Sequence, residues 1–128
     1  MDNKQALENF KNAVFSTAKA IARKTIALED NQQAARVHIP KIISIDNADE
    51  MLEARATADS EALRIRYNDE DISKKNEPRG TVSKSLYKIA EKIRYEKIGS
   101  DQYLGIQNNL NNFYKKKFYI GMFILKIL

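Results

Sequence analysis

Apolar residues recur at three- and four-residue spacing along most of this chain, and four glycines and two prolines are all that interrupt them. That pattern constrains the fold more than any other feature, because it matches the repeat of an α-helix and leaves few places for the tight turns an all-β chain needs. Leu7, Phe10, Val14, Thr17, Ala18 and Ile21 predict an amphipathic helix from Asp2 to Lys24, with Asp2 or Asn3 as its N-cap. A second helix is predicted from an Asp46-Asn47 cap to about Asn68. It carries two adjoining stripes, Leu52, Ala56, Leu63, Tyr67 and Met51, Ala58, Ala62, Ile65, so it is expected to be central. A third helix starts near Thr81, with Val82, Leu86, Ile89, Ala90 and Ile93 on one face, and ends at Gly99 as its C-terminal cap. Ser100 or Asp101 then caps a fourth, containing Tyr103, Leu104, Ile106, Leu110 and Phe113.

The expected fold is mainly α: four helices in an orthogonal or antiparallel arrangement around Phe10, Val14, Ile21, Leu63, Ile89 and Ile93, the last two helices forming a hairpin at Gly99. Between helices one and two, Thr25 to Ile45 holds short β-branched stretches closed by Pro40. The period-two alternation of Val37 and Ile39 there predicts a short extended excursion, two strands at most. At 128 residues the chain has room for one domain. Its expected extent is 1–112, followed over 113–128 by a divergent tail that is basic and then apolar. The closing FYIGMFILKIL is too short to cross a bilayer, which needs about 20 apolar residues.

Several chemistries are excluded by residue type. Without cysteine there are no disulfides, thiolate metal sites or cysteine nucleophiles. His38 is the single histidine, so no histidine pair can bind zinc. The glycines form neither GxGxxG nor GxxxxGK[ST], and no serine sits in a nucleophile elbow. The polar N-terminal segment lacks the apolar stretch of a signal peptide, which gives an expectation of a cytoplasmic location.

The net charge of +5 invites a nucleic-acid reading, but residues 1–101 hold 18 basic and 17 acidic side chains while the tail holds four lysines and no acid. A body so nearly balanced is not expected to track phosphates, and a small basic nucleic-acid-binding protein stands as a rival reading. A protein resting on a membrane surface through its apolar tail is the second rival.

Two polar groupings remain. Asp59 falls within the apolar stripe of helix two, where an unpaired carboxylate is costly, so a structural ion-pair cluster with Arg55 and Arg66 is expected. The connection after helix two contains Asp69, Glu70 and Asp71, which lack the alternating ligands and glycine of a calcium loop and are read as a solvated acidic loop. Arg64, Asp69 and Asp71 lie outside the apolar stripes and are the candidate partner-binding residues. No residue is expected to be catalytic, to bind a cofactor or to hold a metal.

Three stretches, taken in order, carry a family resemblance. They are LENFKNAVFSTAKAIARK (Leu7 to Lys24), RATADSEALRIRYNDED (Arg55 to Asp71) and YKIAEKIRYEKIGSDQYLGIQNNL (Tyr87 to Leu110), the last through the spacing of Glu91, Arg94, Glu96, Gly99, Gly105, Asn109 and Leu110. Together they resemble the N-terminal helical domain of the CobT-type subunit of aerobic cobaltochelatase. One departure is that Asn68 stands where the family commonly has histidine.

The resemblance implies a non-catalytic part of a ligase complex that inserts cobalt into a corrin ring in cobalamin biosynthesis. There it would bridge an AAA+ ATPase and the large chelatase subunit, with cobalt, ATP and magnesium belonging to the complex rather than to this chain. In the family an acidic linker and a von Willebrand factor A domain with an Asp-x-Ser-x-Ser metal site follow. Neither is in this sequence, so the resemblance gives an expectation of a truncated subunit, inactive alone.

Overall fold

Asp2 opens helix α1 (Asn3–Ala22) by accepting a hydrogen bond from the Gln5 N–H at 2.7 Å, which satisfies one of the first-turn donors. The computed structural model describes residues 2–23, 26–27, 35–36, 40–42 and 44–127, with side chains described except at 26–27, 35–36, 119–125 and 127. Val14, Ala18, Ile21 and Ala22 form the buried face of α1, in line with its periodicity. The helix closes at Arg23, whose left-handed φ of 54° turns its N–H back to the Lys19 carbonyl at 3.1 Å.

Helix α2 (Ala48–Tyr67) begins at Asn47, whose side chain accepts from the N–H groups of Asp49 and Glu50 at 3.1 and 3.2 Å. As its two apolar stripes predict, it is the hub of the fold: α1 and the two long helices that follow all pack on it. Its buried positions are mostly small, Ala54, Ala56, Ala58, Ser60 and Ala62, with Leu63 as the largest fully buried side chain. Small side chains on several sides let three neighbours approach one helix closely.

The described residues contain five helices rather than the expected four. The added one is α3 (Glu70–Asn76), in the connection read as a solvated loop. Asp69 makes it possible by accepting from the N–H groups of Asp71 and Ile72, at 3.0 and 3.1 Å, and Pro78 lies just beyond its end.

Helix α4 (Thr81–Gln102) runs past Gly99, so the expected cap there is corrected: Gly99 is helical, buried and has no positive φ. Ser100 and Asp101 consequently belong to α4 and cap nothing. The joint is Tyr103, extended at φ −131° and ψ 112°, and α5 (Leu104–Ile127) follows it directly. The chain reverses there, returning Tyr114 on α5 to Glu96 on α4. The expected domain limit at 112 falls inside α5.

The core expectation fails on α4. Ile89 and Ile93 are 56% and 63% exposed, and Val82 and Leu86 are 73% and 61% exposed. Helix α4 instead buries Tyr95, Glu96 and Gly99. Periodicity marked an apolar face correctly, but nothing in a local pattern says which face meets a neighbour.

Between α1 and α2 the described residues include two two-residue strands, β1 (Ile26–Ala27) and β2 (Ala35–Arg36), paired in parallel. The alternation of Val37 and Ile39, and His38 with it, lies outside the described residues. Among the described residues no helix is long and apolar enough to cross a membrane.

Candidate functional site

Two polar clusters join the helices, and both start from neighbouring residues of α2. The first is Asp59. Its carboxylate is buried and accepts a hydrogen bond from Asn109 Nδ2 of α5 at 2.9 Å. Arg55, one turn earlier, places its guanidinium 4.9 Å from the centre of the Phe10 ring while still acting on Asp59 through its charge. Arg66 is elsewhere: it donates to the Tyr103 hydroxyl at 2.8 Å and lies over the Tyr67 and Tyr103 rings. The three residues expected as one cluster are thus divided, Arg55 beside Asp59 and Arg66 at the α4–α5 joint. Bonding to Arg66 holds the Tyr103 phenol below its ordinary range.

A cleft of about 280 Å³ opens beside Asp59, between α1, α2 and the start of α5. Val14, Ile21 and Ile106 make its apolar walls, with Arg55, Asp59 and Asn109 as polar members. Burial pushes the Asp59 carboxyl above the usual carboxylate range, and Asn109 and Arg55 oppose that only in part. A carboxyl whose folded pKa lies above its unfolded one stabilises the fold fully below the unfolded value, and that contribution is lost as pH rises through the folded value. Ionised Asp59 therefore costs stability at neutral pH. Asp59→Asn keeps an acceptor for Asn109 without the charge, and it is expected to raise the urea midpoint at pH 7. The gain should shrink as pH falls through the raised folded value and be gone below about pH 4, where the carboxyl is protonated in the unfolded chain as well. A lower midpoint at pH 7 would mean that attraction to Arg55 outweighs desolvation.

The second cluster joins three helices through Glu96. Ser60 of α2 donates to Glu96 Oε1 at 2.5 Å, and the Tyr114 hydroxyl of α5 lies 2.8 Å from both carboxylate oxygens. Lys92, one turn earlier on α4, brings its ammonium to 4.0 Å. Burial, with the Glu96 carboxylate next, pushes the Tyr114 phenol up.

The candidate partner-binding residues meet at the shoulder between α2 and α3. Arg64 contacts Glu61 at 3.2 Å and reaches Glu70 at 3.5 Å, Asp69 is committed to capping α3, and Asp71 is exposed in its first turn. Asp69 therefore already has a structural task, while Arg64 and Asp71 retain surface.

Residue-by-residue reading missed Ser60, Glu96, Asn109 and Tyr114 as ties between helices, because their partners lie 18 to 50 positions away. One signal was available. Asp59, Ser60, Glu96, Gly99 and Asn109 all stand in the stretches that carry the family resemblance, and all take part in the contacts of α2 with α4 and α5. The arrangement is suited to fixing helix positions: each buried polar group ends on another helix, and no buried side-chain polar atom among the described residues lacks a partner. The described residues contain no group of three or more His, Cys, Asp or Glu side chains placed to hold a metal ion.

A family model described as cobalamin biosynthesis protein CobT matches the chain over residues 4–122. No curated protein and no solved structure matches the chain.

Proposed function

The chain belongs to the CobT family of cobalamin biosynthesis proteins, and from that premise we propose that it is a non-catalytic adaptor in ATP-dependent insertion of cobalt into the corrin ring. In this reading it docks on the AAA+ ATPase and links it to the large chelatase subunit. Cobalt is the substrate of the assembly, while ATP and magnesium are handled by the ATPase. The chain by itself inserts no cobalt.

The observation that carries this reading is how the polar residues of the resemblance are used. Asp59 with Asn109 and Ser60 with Glu96 are bonded in two pairs between helices, which suits a rigid body that presents surfaces. The surface we assign to the ATPase is the α2–α3 shoulder, where Arg64 near the end of α2 and Asp71 in α3, a helix with no buried residue, offer opposite charges. Charged rim contacts of this kind set orientation and association rate more than total affinity.

Reconstitution tests it. The chain is mixed with purified ATPase and large subunits, and complex formation is followed by size-exclusion chromatography and cobalt insertion by corrin absorbance. The expected result is co-elution with the ATPase in the presence of ATP. Arg64→Glu combined with Asp71→Lys should weaken that association by roughly tenfold, or about 1.4 kcal/mol, with unchanged circular dichroism. Failure of the wild-type chain to associate with either subunit, or cobalt insertion by the chain alone, would refute the adaptor reading.

A further inference from the structure

We infer that the exposed face of α4 is a self-association surface, on which a second copy of this chain packs with its own α4 antiparallel to the first. Every residue from Thr81 to Leu86 is exposed, so the first half of α4 stands clear of the body. Along it Val82, Leu86, Ile89 and Ile93 are each more than half exposed and follow one another at intervals of four, three and four. That is the heptad spacing of a helix-pairing seam, in which apolar side chains of one helix fill the gaps between those of another. No part of the described chain covers it.

The choice of a second copy rests on symmetry and charge. A two-fold interface must be complementary to itself. The four-three-four pattern reads the same in both directions, so antiparallel pairing sets Val82 against Ile93 of the second copy and Leu86 against Ile89. The flanks agree: Ser83 falls opposite Ala90, and Ser85 opposite Lys92, with no pair of like charges. Parallel pairing would instead bring Lys92 against Lys97 twice, since flanking positions then meet five residues apart. Covering four large side chains from each copy buries roughly 800 Å² in total, below the range of stable interfaces, and fits a weak, transient dimer. This inference does not depend on the adaptor reading.

Sedimentation equilibrium of the full chain supplies the test. At roughly 100 μM and above, the wild-type protein should fit a monomer–dimer equilibrium, its average mass rising with concentration from 14.7 kDa towards twice that value. Leu86→Glu and Ile89→Lys should each be monomeric with unchanged circular dichroism, because both positions face solvent in the monomer. An equimolar mixture of the two variants should dimerise again. Antiparallel pairing sets the introduced carboxylate of one variant against the introduced ammonium of the other, and it leaves the symmetry-related contact of Ile89 with Leu86 intact. A monomeric wild type would overturn the proposal and leave the face to a partner of different sequence. So would a dimer that both variants retain, or variants that stay monomeric when mixed.

Discussion

Replacing Glu96 by alanine is expected to lower the unfolding free energy by about 3 kcal/mol, because one carboxylate serves hydroxyls from two other helices. Ser60 is buried away from water, with the Tyr95 hydroxyl as its other hydrogen-bonding neighbour. Tyr114 is about 39% exposed and can turn to water, so the loss is concentrated at Ser60 and in the void left by the truncated side chain. Glu96→Gln keeps an acceptor and should cost roughly half as much, near the worth of hydrogen bonds to a charged group. Urea denaturation with unchanged m-value measures both. A Glu96→Ala loss within experimental scatter of zero would show that the cost of burying the carboxylate cancels its bonds.

The same cluster sets a response to alkali. The Tyr114 phenol is pushed up, so the folded state keeps a proton that the unfolded state releases above the ordinary tyrosine range. Stability from this group is complete below about pH 10 and falls as pH rises beyond it. Tyr114→Phe should flatten that part of the stability–pH curve.

Gly99→Ala is expected to destabilise the protein by about 2 kcal/mol, although the same change in an open helix stabilises by up to about 1 kcal/mol. A Cβ at Gly99 would overlap both methyls of Leu63 and lie 2.9 Å from its Cγ. Leu63 is fully buried and cannot swing aside, so either the rotamer or the separation of α2 and α4 must give. Gly105→Ala is the matched control: nothing lies within 4 Å of the added carbon, and a neutral or slightly stabilising effect is expected. Combining Gly99→Ala with Leu63→Ala should give a loss smaller than the sum of the two by at least about 1 kcal/mol, because the truncated leucine vacates the space the new methyl needs. Gly99→Ala without loss of stability would mean that the α2–α4 crossing relaxes freely.

Gly99 also shows where reading by residue type breaks down. A glycine after an apolar stripe resembles a helix stop, and the sequence carries no mark to distinguish that from a glycine that lets two helices touch. Ser100 and Asp101 reinforced the wrong choice, since both are good caps when a helix does start there. The Asp69–Glu70–Asp71 run erred in the other direction: acids in a first turn behind a capping Asp are also how a helix begins, and Asp69 uses that option. For Asp59 the expectation was an ion pair with Arg55 and Arg66, whereas its carboxylate accepts a hydrogen bond from an amide. The direct partner, Asn109, was out of reach of local argument because it is 50 residues away.

What the sequence by itself determined is the helical character of the chain, the starts of α1 and α2 to within a residue, the buried face of α1 and the central place of α2. All of these follow from forces that act within a turn or two: hydrogen bonding at helix ends and the spacing of apolar side chains. Only the tertiary structure decided that α4 packs through Tyr95, Glu96 and Gly99 and leaves Val82, Leu86, Ile89 and Ile93 in water. The physical reason is that burial belongs to pairs of surfaces. A close approach at Gly99 and the bonds made by Glu96 fix which side of α4 meets α2, and no property of α4 alone contains that information.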